Sequence, residues 1–264
     1  MKLVPHRIWV QLSFLLVWLD PLNWRLHSVC GPVFHCHSCP LAAFACPVGV
    51  VANFAALHLF PFIALGIIVI VGIFLGSIVC GWLCPFGMLQ DLFRRIPAPK
   101  FNLPKWAGAF RYVVLVGAVL AVPYFFGTGH PLFVCNFCPV AGLEASVPNM
   151  VSQAAAGQGV IWPNLLKLSI IILLLIAVFF VNRPWCRLLC PLGAFFGLFN
   201  KISAFFLGFD PDKCTNCNQC RNICEYGIDP VARPNDSRCI RCFECTKCGP
   251  GALTVNSILD ILKK

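Results

Sequence analysis

The sequence predicts an all-α membrane bundle of four transmembrane helices in two pseudo-repeats, followed by a small cysteine-rich α+β module. Three observations predict it. Of 264 residues, 59% are hydrophobic and only 11% charged, against roughly 45–50% and about 25% in soluble globular chains. Four apolar stretches approach the ~20 residues that cross a bilayer core of roughly 30 Å as a helix. Of the 18 cysteines, 16 fall in pairs and runs rather than singly. Such a composition excludes an ordinary soluble enzyme, and it excludes a disordered chain, which would be poor in apolar residues.

The first predicted helix, residues 8–19, lengthens backward if His6 and Arg7 snorkel to the interface. No small-residue cleavage site precedes Pro21, so the segment reads as an uncleaved anchor rather than a signal peptide. Residues 59–79 form an uncharged run of 21. Residues 112–127, extended by Trp106 and Phe110, form the third helix, with a kink predicted at Pro123, which membrane helices tolerate. Residues 162–181, with the lone Lys167, form the fourth. Four crossings put both termini on one side. With that side cytoplasmic, 18 of the 20 Lys and Arg lie inside and only Arg25 and Lys167 outside, as the positive-inside rule requires. The expectation is a multi-pass protein of the cytoplasmic (inner) membrane. The net charge of +10 does not indicate nucleic acid, because the polar residues 210–264 are nearly balanced, with eight basic and seven acidic side chains. The excess flanks the apolar runs, where a membrane explains it.

The cysteines spell an internal repeat. Cys36-His-Ser-Cys39-Pro before the second helix matches Cys135-Asn-Phe-Cys138-Pro before the fourth, at an offset of 99 residues. Cys80-Gly-Trp-Leu-Cys84-Pro-Phe-Gly matches Cys186-Arg-Leu-Leu-Cys190-Pro-Leu-Gly at an offset of 106. Residues 1–107 and 108–208 therefore read as two copies of one unit: helix, outer CxxCP loop, helix, inner CxxxCP turn. A pseudo-twofold along the membrane normal would bring Cys80, Cys84, Cys186 and Cys190 together at the inner face. Four thiolates are the ligand set of a [4Fe–4S] cluster. Cys36, Cys39, Cys135 and Cys138 would meet at the outer face, as a second cluster or as two disulfides. Cys46, which begins Cys-Pro-Val-Gly, is a candidate substitute ligand there, or a disulfide partner of Cys30. Opposite faces lie too far apart for one efficient electron hop unless an outer loop dips inward, another cofactor lies between, or a quinone mediates; residues 47–57 are apolar enough for a re-entrant half-helix.

Residues 209–264 carry the most specific pattern. Cys214-x2-Cys217-x2-Cys220-x3-Cys224 has the spacing of a bacterial two-cluster ferredoxin, and Cys239-x2-Cys242-x2-Cys245-x2-Cys248 repeats it. In such modules the fourth cysteine of each run ligates the other cluster. The expected sets are Cys214, Cys217, Cys220 and Cys248 for one [4Fe–4S] cluster, and Cys239, Cys242, Cys245 and Cys224 for the other. Zinc is the rival for CxxC pairs, but two tandem runs of four favour iron–sulfur. Glu225 stands where a proline usually follows the fourth cysteine, and the second run is one residue shorter, with Pro250 one position late.

On the two CxxxCP turns (Cys80/Cys84 and Cys186/Cys190) and the tandem runs from Cys214 to Cys248, the chain resembles the NapH/NosR-type polytopic ferredoxin-type membrane proteins. The resemblance implies four membrane helices, cytoplasmic clusters and electron transfer between the quinone pool and partner reductases. The outer CxxCP pairs exceed the family pattern and suggest a wire across the membrane.

The expected function is thus an electron-transfer component of a larger complex. Its partners would be membrane lipid, a quinone or quinol, and redox subunits on the cytoplasmic and outer faces. Arg183 and Arg187 beside the inner motif would raise a cluster's potential, or anchor the helix. Arg238 and Arg241 are candidates for a docking surface. His58, His130 and Glu144 are candidate proton acceptors for quinone chemistry, and His35 and His37 flank Cys36 as candidate ligands. Residues 258–264 read as a terminal helix. Two other readings use the same cysteines: a transmembrane thiol–disulfide relay, and a redox sensor or metal-maturation reductase. No phosphate loop and no nucleophile–base constellation is present, so no catalytic residue is assigned.

Overall fold

The computed structural model describes residues 6–19, 46–93, 99–101, 103, 104, 106–146, 150, 153–157, 159, 162–249 and 251–258. Cys30, Cys36, Cys39, His35 and His37, the side chain of Glu144, and the predicted terminal helix beyond Ile258 lie outside the described residues.

The first apolar run forms α1, His6–Leu19. Next comes α2, Pro47–Ala56, started by a proline in its first turn. Proline is tolerated there because the missing N–H has no helical partner. α2 buries Val48, Val51 and Ala52 against the second half of α5. It is the half-helix that its apolar sequence predicted, and it is packed in protein.

The long run 59–79 does not form one helix. Pro61 caps the start of α3, Phe62–Leu75, and Gly76, at φ 54°, ends it. α3 buries Ala64, Ile68 and Gly72 along one face, an i, i+4, i+8 stripe. A widened turn, Val79–Leu83, then leads into α4, Pro85–Phe93.

α5, Ala107–Phe126, has 20 residues and is the one described helix of full membrane-crossing length and apolarity. The predicted break at Pro123 takes the form of a widened turn at Gly117–Ala121. Proline supplies no N–H and its ring crowds the carbonyl four residues back, so the helix opens one turn earlier. Two short helices, α6 (Val134–Phe137) and α7 (Pro139–Ala141), precede α8, Leu165–Phe180. Asn164 caps α8, its side chain accepting from Leu166 N at 3.3 Å. α9 (Pro184–Leu188) and α10 (Pro191–Leu198) complete the helical unit.

Large apolar side chains cover the outside of this unit. Phe62 is 76% and Leu165 79% exposed, and Phe74, Phe125, Leu173 and Ile176 join them. The inside is one core in which Ala52, Ile68, Phe86, Val119, Phe133, Trp185 and Phe196 are buried together.

The module is closed by two antiparallel strands, β1 (Phe205–Phe209) and β2 (Leu253–Ser257), with Leu207 opposite Val255. β1 starts ahead of the expected boundary at residue 209. Between the strands lie α11, Gln219–Ile223, and a tight turn, Glu244–Lys247.

The module is pressed onto the helical unit. Trp82, from the first CxxxCP turn, packs with Leu207, Phe243 and Leu253 and donates Nε1–H to Arg241 O at 3.1 Å. A Cβ on Gly81 would collide with Ile240 O, and one on Gly197 with Ser237 O. Both positions need glycine because backbone meets backbone. Gly81→Ala is expected to cost about 1–3 kcal/mol, as overpacking does, read as a lower thermal midpoint. An unchanged midpoint would show that this contact does not hold the module.

Candidate metal centres

Among the described residues, three cavities are each lined by several cysteines. In the module, Cys214, Cys217, Cys220 and Cys248 line one, together with Thr215, Asn216 and Arg221. Cys217 Sγ and Cys248 Sγ are 3.9 Å apart, which is how the chain brings the end of the second run to the first. Cys224 lines the other module cavity with Cys239, Cys242 and Cys245. The turns that aim these thiols use positive φ at Asn216, Asn218, Arg241 and Phe243, conformations that non-glycine residues adopt rarely.

The third cavity lies in the helical unit. Cys80, Cys84, Cys186 and Cys190 line it, and so do Cys46, Cys135 and Cys138. The described members of the outer set, Cys135 and Cys138 with Cys46, therefore share one cavity with the inner set, from which they were expected to be separated by the membrane. The physical reason is that α2, α6 and α7 fold inward and pack in the core rather than staying at a surface. Of the module, Cys239 and Ile240 also line this cavity. Cys239 thus borders both its own module cavity and the helical one.

The donor set fits iron–sulfur clusters. Backbone N–H groups of Gly87 and Gly193 point at Cys84 Sγ and Cys190 Sγ, at 3.3 and 3.4 Å. Gln90 Nε2 donates to Cys186 Sγ at 3.3 Å, and Arg241 N to Cys239 Sγ at 3.4 Å. Such donors favour thiolate over thiol and tune cluster potentials. Among the described residues no three His, Cys, Asp or Glu side chains converge on a point that one metal ion could occupy. The thiols surround cavities instead, as a cluster with one thiolate per iron requires. Burial pushes the Cys239 thiol up to about 12. At neutral pH it is a poor nucleophile for disulfide exchange and becomes a thiolate when a metal takes it.

The charged residues beside these motifs are tied into the fold. Arg183, 1% exposed, gives its charge to Asp91 through Nε–Oδ1 at 2.7 Å and Nη2–Oδ2 at 2.5 Å. Its Nη1 donates to Cys80 O at 3.0 Å. Arg7 reaches the same carboxylate at 2.6 Å and donates Nε–H to Gly81 O at 2.9 Å. Asp91 thereby ties α1, α4 and the loop before the second motif together. Arg187 lies over the Tyr226 ring and donates to Tyr226 O at 3.3 Å.

Arg241 is not a docking residue. It is 1% exposed and donates to Ser203 Oγ, Phe205 O, Asn200 O and Asn235 Oδ1. Burial lowers it to about 10, so it stays protonated at neutral pH. Arg238 is held by Asp236 at 2.8 Å. Burial raises the Asp236 carboxyl, but the Arg238 hydrogen bonds outweigh that and hold it below its ordinary value.

His58 packs edge-on against Tyr124 at 4.4 Å, and His130 Nδ1 accepts from Leu132 N at 3.2 Å. Neither lines the thiol cavity.

Sequence reading missed Gln90, Asp91, Asn200 and the cavity role of Arg111. Asp91 carried a signal, as the lone acid between residues 21 and 143. Asn200 carried none. Fully buried, it accepts from Ser77 N at 3.1 Å and donates to Asp236 O and Cys239 O at 3.0 and 2.8 Å.

Comparison with known proteins agrees with this donor chemistry. A 4Fe–4S binding domain family matches the chain twice, at residues 57–104 and 164–210, each match containing one CxxxCP turn. An uncharacterised protein of Methanocaldococcus jannaschii is 30% identical over 71% of this chain and 75% of its own length. The ferredoxin-type protein NapH of Haemophilus influenzae is 27% identical over 77% of this chain and 69% of its own. The regulatory protein NosR of Stutzerimonas stutzeri is 27% identical over 64% of this chain, a stretch that makes up 23% of that protein. No solved structure matches the chain significantly.

Proposed function

Because the chain belongs to the ferredoxin-type iron–sulfur proteins of the NapH/NosR type, we propose that it is a membrane-bound electron-transfer subunit linking a cytoplasmic two-cluster module to a cluster in its helical unit. Cys214, Cys217, Cys220 and Cys248 would hold one module cluster, and Cys239, Cys242, Cys245 and Cys224 the other. Cys80, Cys84, Cys186 and Cys190 would hold the cluster of the helical unit. A bound [4Fe–4S] cluster supplies one-electron chemistry at a potential set by its surroundings. The chain's own part is to bring these sites into contact, exclude water from them, and donate N–H groups to the sulfurs.

The observation that carries the reading is that Cys239 and Ile240 of the module line the cavity of Cys80, Cys84, Cys186 and Cys190. At the other end of the module, Cys217 is exposed, which suits exchange of electrons with a cytoplasmic partner. The acceptor or donor beyond the helical unit is a quinone or an outer-face redox subunit.

A four-crossing membrane topology with the module inside is supported by the exposed apolar belt, since soluble monomers rarely expose patches beyond a few hundred Å². α5, at 20 residues, spans about 30 Å. α3 and α8, at 14 and 16 residues, rise roughly 21 and 24 Å, a mismatch that local thinning and snorkelling absorb. The division into two repeats and a module at residues 1–107, 108–208 and 209–264 is supported by the double family match, with the module's first strand beginning earlier, at Phe205.

An anaerobic redox titration followed by EPR tests the function. At least three reducible [4Fe–4S] signals are expected; a chain that accepts no electrons beyond its module clusters would contradict it. Arg111, 4% exposed, brings a positive charge to the helical cavity. Arg111→Gln is therefore expected to lower the potential of that centre by on the order of tens of millivolts at an effective dielectric of about 20, with Arg111→Lys restoring most of it. Unshifted potentials in Arg111→Gln would refute this role.

A further inference from the structure

The helical cavity holds more thiols than one cluster uses. Seven cysteines line it besides Cys239 of the module. Its volume is about 110 Å³, against about 90 and 30 Å³ for the two module cavities, each lined by four thiols. The extra thiols come with a repeated backbone device. Cys84, Cys138 and Cys190 have φ of −72°, −66° and −70° and ψ of 105°, 119° and 111°. Each stands directly before a proline that opens a helix: Pro85, Pro139 and Pro191. At Cys84 and Cys190 this geometry turns the sulfur onto the N–H three residues ahead. Cys46 likewise precedes Pro47 at the start of α2. Four Cys-Pro helix starts thus meet at one cavity, two from each repeat.

The charge in the cavity points the same way. Arg111 is buried, lines the cavity, and has an Nε–H with no partner. Its Nη2 is used by Ser237 O at 2.9 Å and Tyr112 Oη at 3.1 Å. A buried guanidinium in an apolar, thiol-lined space calls for an anionic occupant, and thiolate-ligated clusters are anionic.

We propose that Cys46, Cys135 and Cys138 supply three of the four ligands of a second iron–sulfur cluster, bordering the same cavity as the one held by Cys80, Cys84, Cys186 and Cys190. The proposal rests on the reading that the latter four hold a cluster. It removes the distance problem posed by sets at opposite faces, because both ligand sets border one space.

The test is iron and acid-labile sulfide per chain, with EPR, on the full-length protein purified anaerobically. Four clusters correspond to about sixteen irons. The variant C46A/C135A/C138A is expected to lose about four irons while keeping the signal that C80A/C84A/C186A/C190A removes. The wild-type signals of the helical unit are expected to show spin–spin splitting that collapses in the first variant. About twelve irons in the wild type, without splitting, would overturn the second site and leave the first standing. About eight would overturn the first as well. Both counts come from the wild-type chain, so a variant that fails to fold does not remove the test.

Discussion

Replacing Cys80, Cys84, Cys186 and Cys190 with alanine is expected to remove about four irons per chain and one EPR signal, while the module keeps its own two clusters. The expectation follows from which residues share a cavity. The module thiols line two spaces of their own, whereas these four line the helical one. The pseudo-repeat contributes them two and two, each pair within a match to the 4Fe–4S binding domain family. Their sulfurs already receive donors from Gly87, Gly193 and Gln90. Iron content unchanged in the quadruple variant would mean that the helical thiols work as thiols. A transmembrane thiol–disulfide relay would then be the better reading.

Asp91→Asn is expected to be the most damaging single substitution away from the cysteines. Asp91 takes Arg183 at 2.5 Å and Arg7 at 2.6 Å, and both guanidinium groups are buried. Breaking a buried ion pair from one side costs about 3–5 kcal/mol, because the other charge stays behind without compensation. Here Arg183 stays behind, while Arg7 keeps Glu244 Oε1 at 3.9 Å. Arg183 also holds a left-handed backbone conformation at φ 47°, directly before Pro184 and three residues from Cys186. The detergent-solubilised variant should unfold at a clearly lower temperature and lose the helical-unit iron first. Asp91→Glu should recover part of both. A thermal midpoint equal to that of the wild type would show that the arginines are balanced elsewhere.

The chemistry of the sites was more legible in the sequence than their arrangement. Cysteine spacing identifies the two module runs because a cluster needs thiolates at short, fixed intervals. The 106-residue offset between the CxxxCP turns reveals the repeat because sequence identity survives there residue by residue. Hydropathy alone misjudged the helix ends. Pro61 and Gly76 are apolar in composition, yet they cut the run 59–79 to Phe62–Leu75, because one lacks an N–H and the other adopts positive φ. The inward fold of α2 could be suspected from its apolar sequence. That it brings Cys46 to the cavity of Cys84 and Cys190 depends on packing between distant segments, which has no periodic signature. The same holds for Gly81, Gly197, Asn200 and Arg241, single residues whose value lies in the backbone they touch across the interface between module and helical unit.

Iron and acid-labile sulfide counted per chain on the anaerobically purified wild-type protein tests the central claim most directly. The account predicts at least twelve irons, the module's eight and four or more in the helical cavity. A count of about eight would contradict it, because the cavity lined by Cys80, Cys84, Cys186 and Cys190 would then hold no cluster.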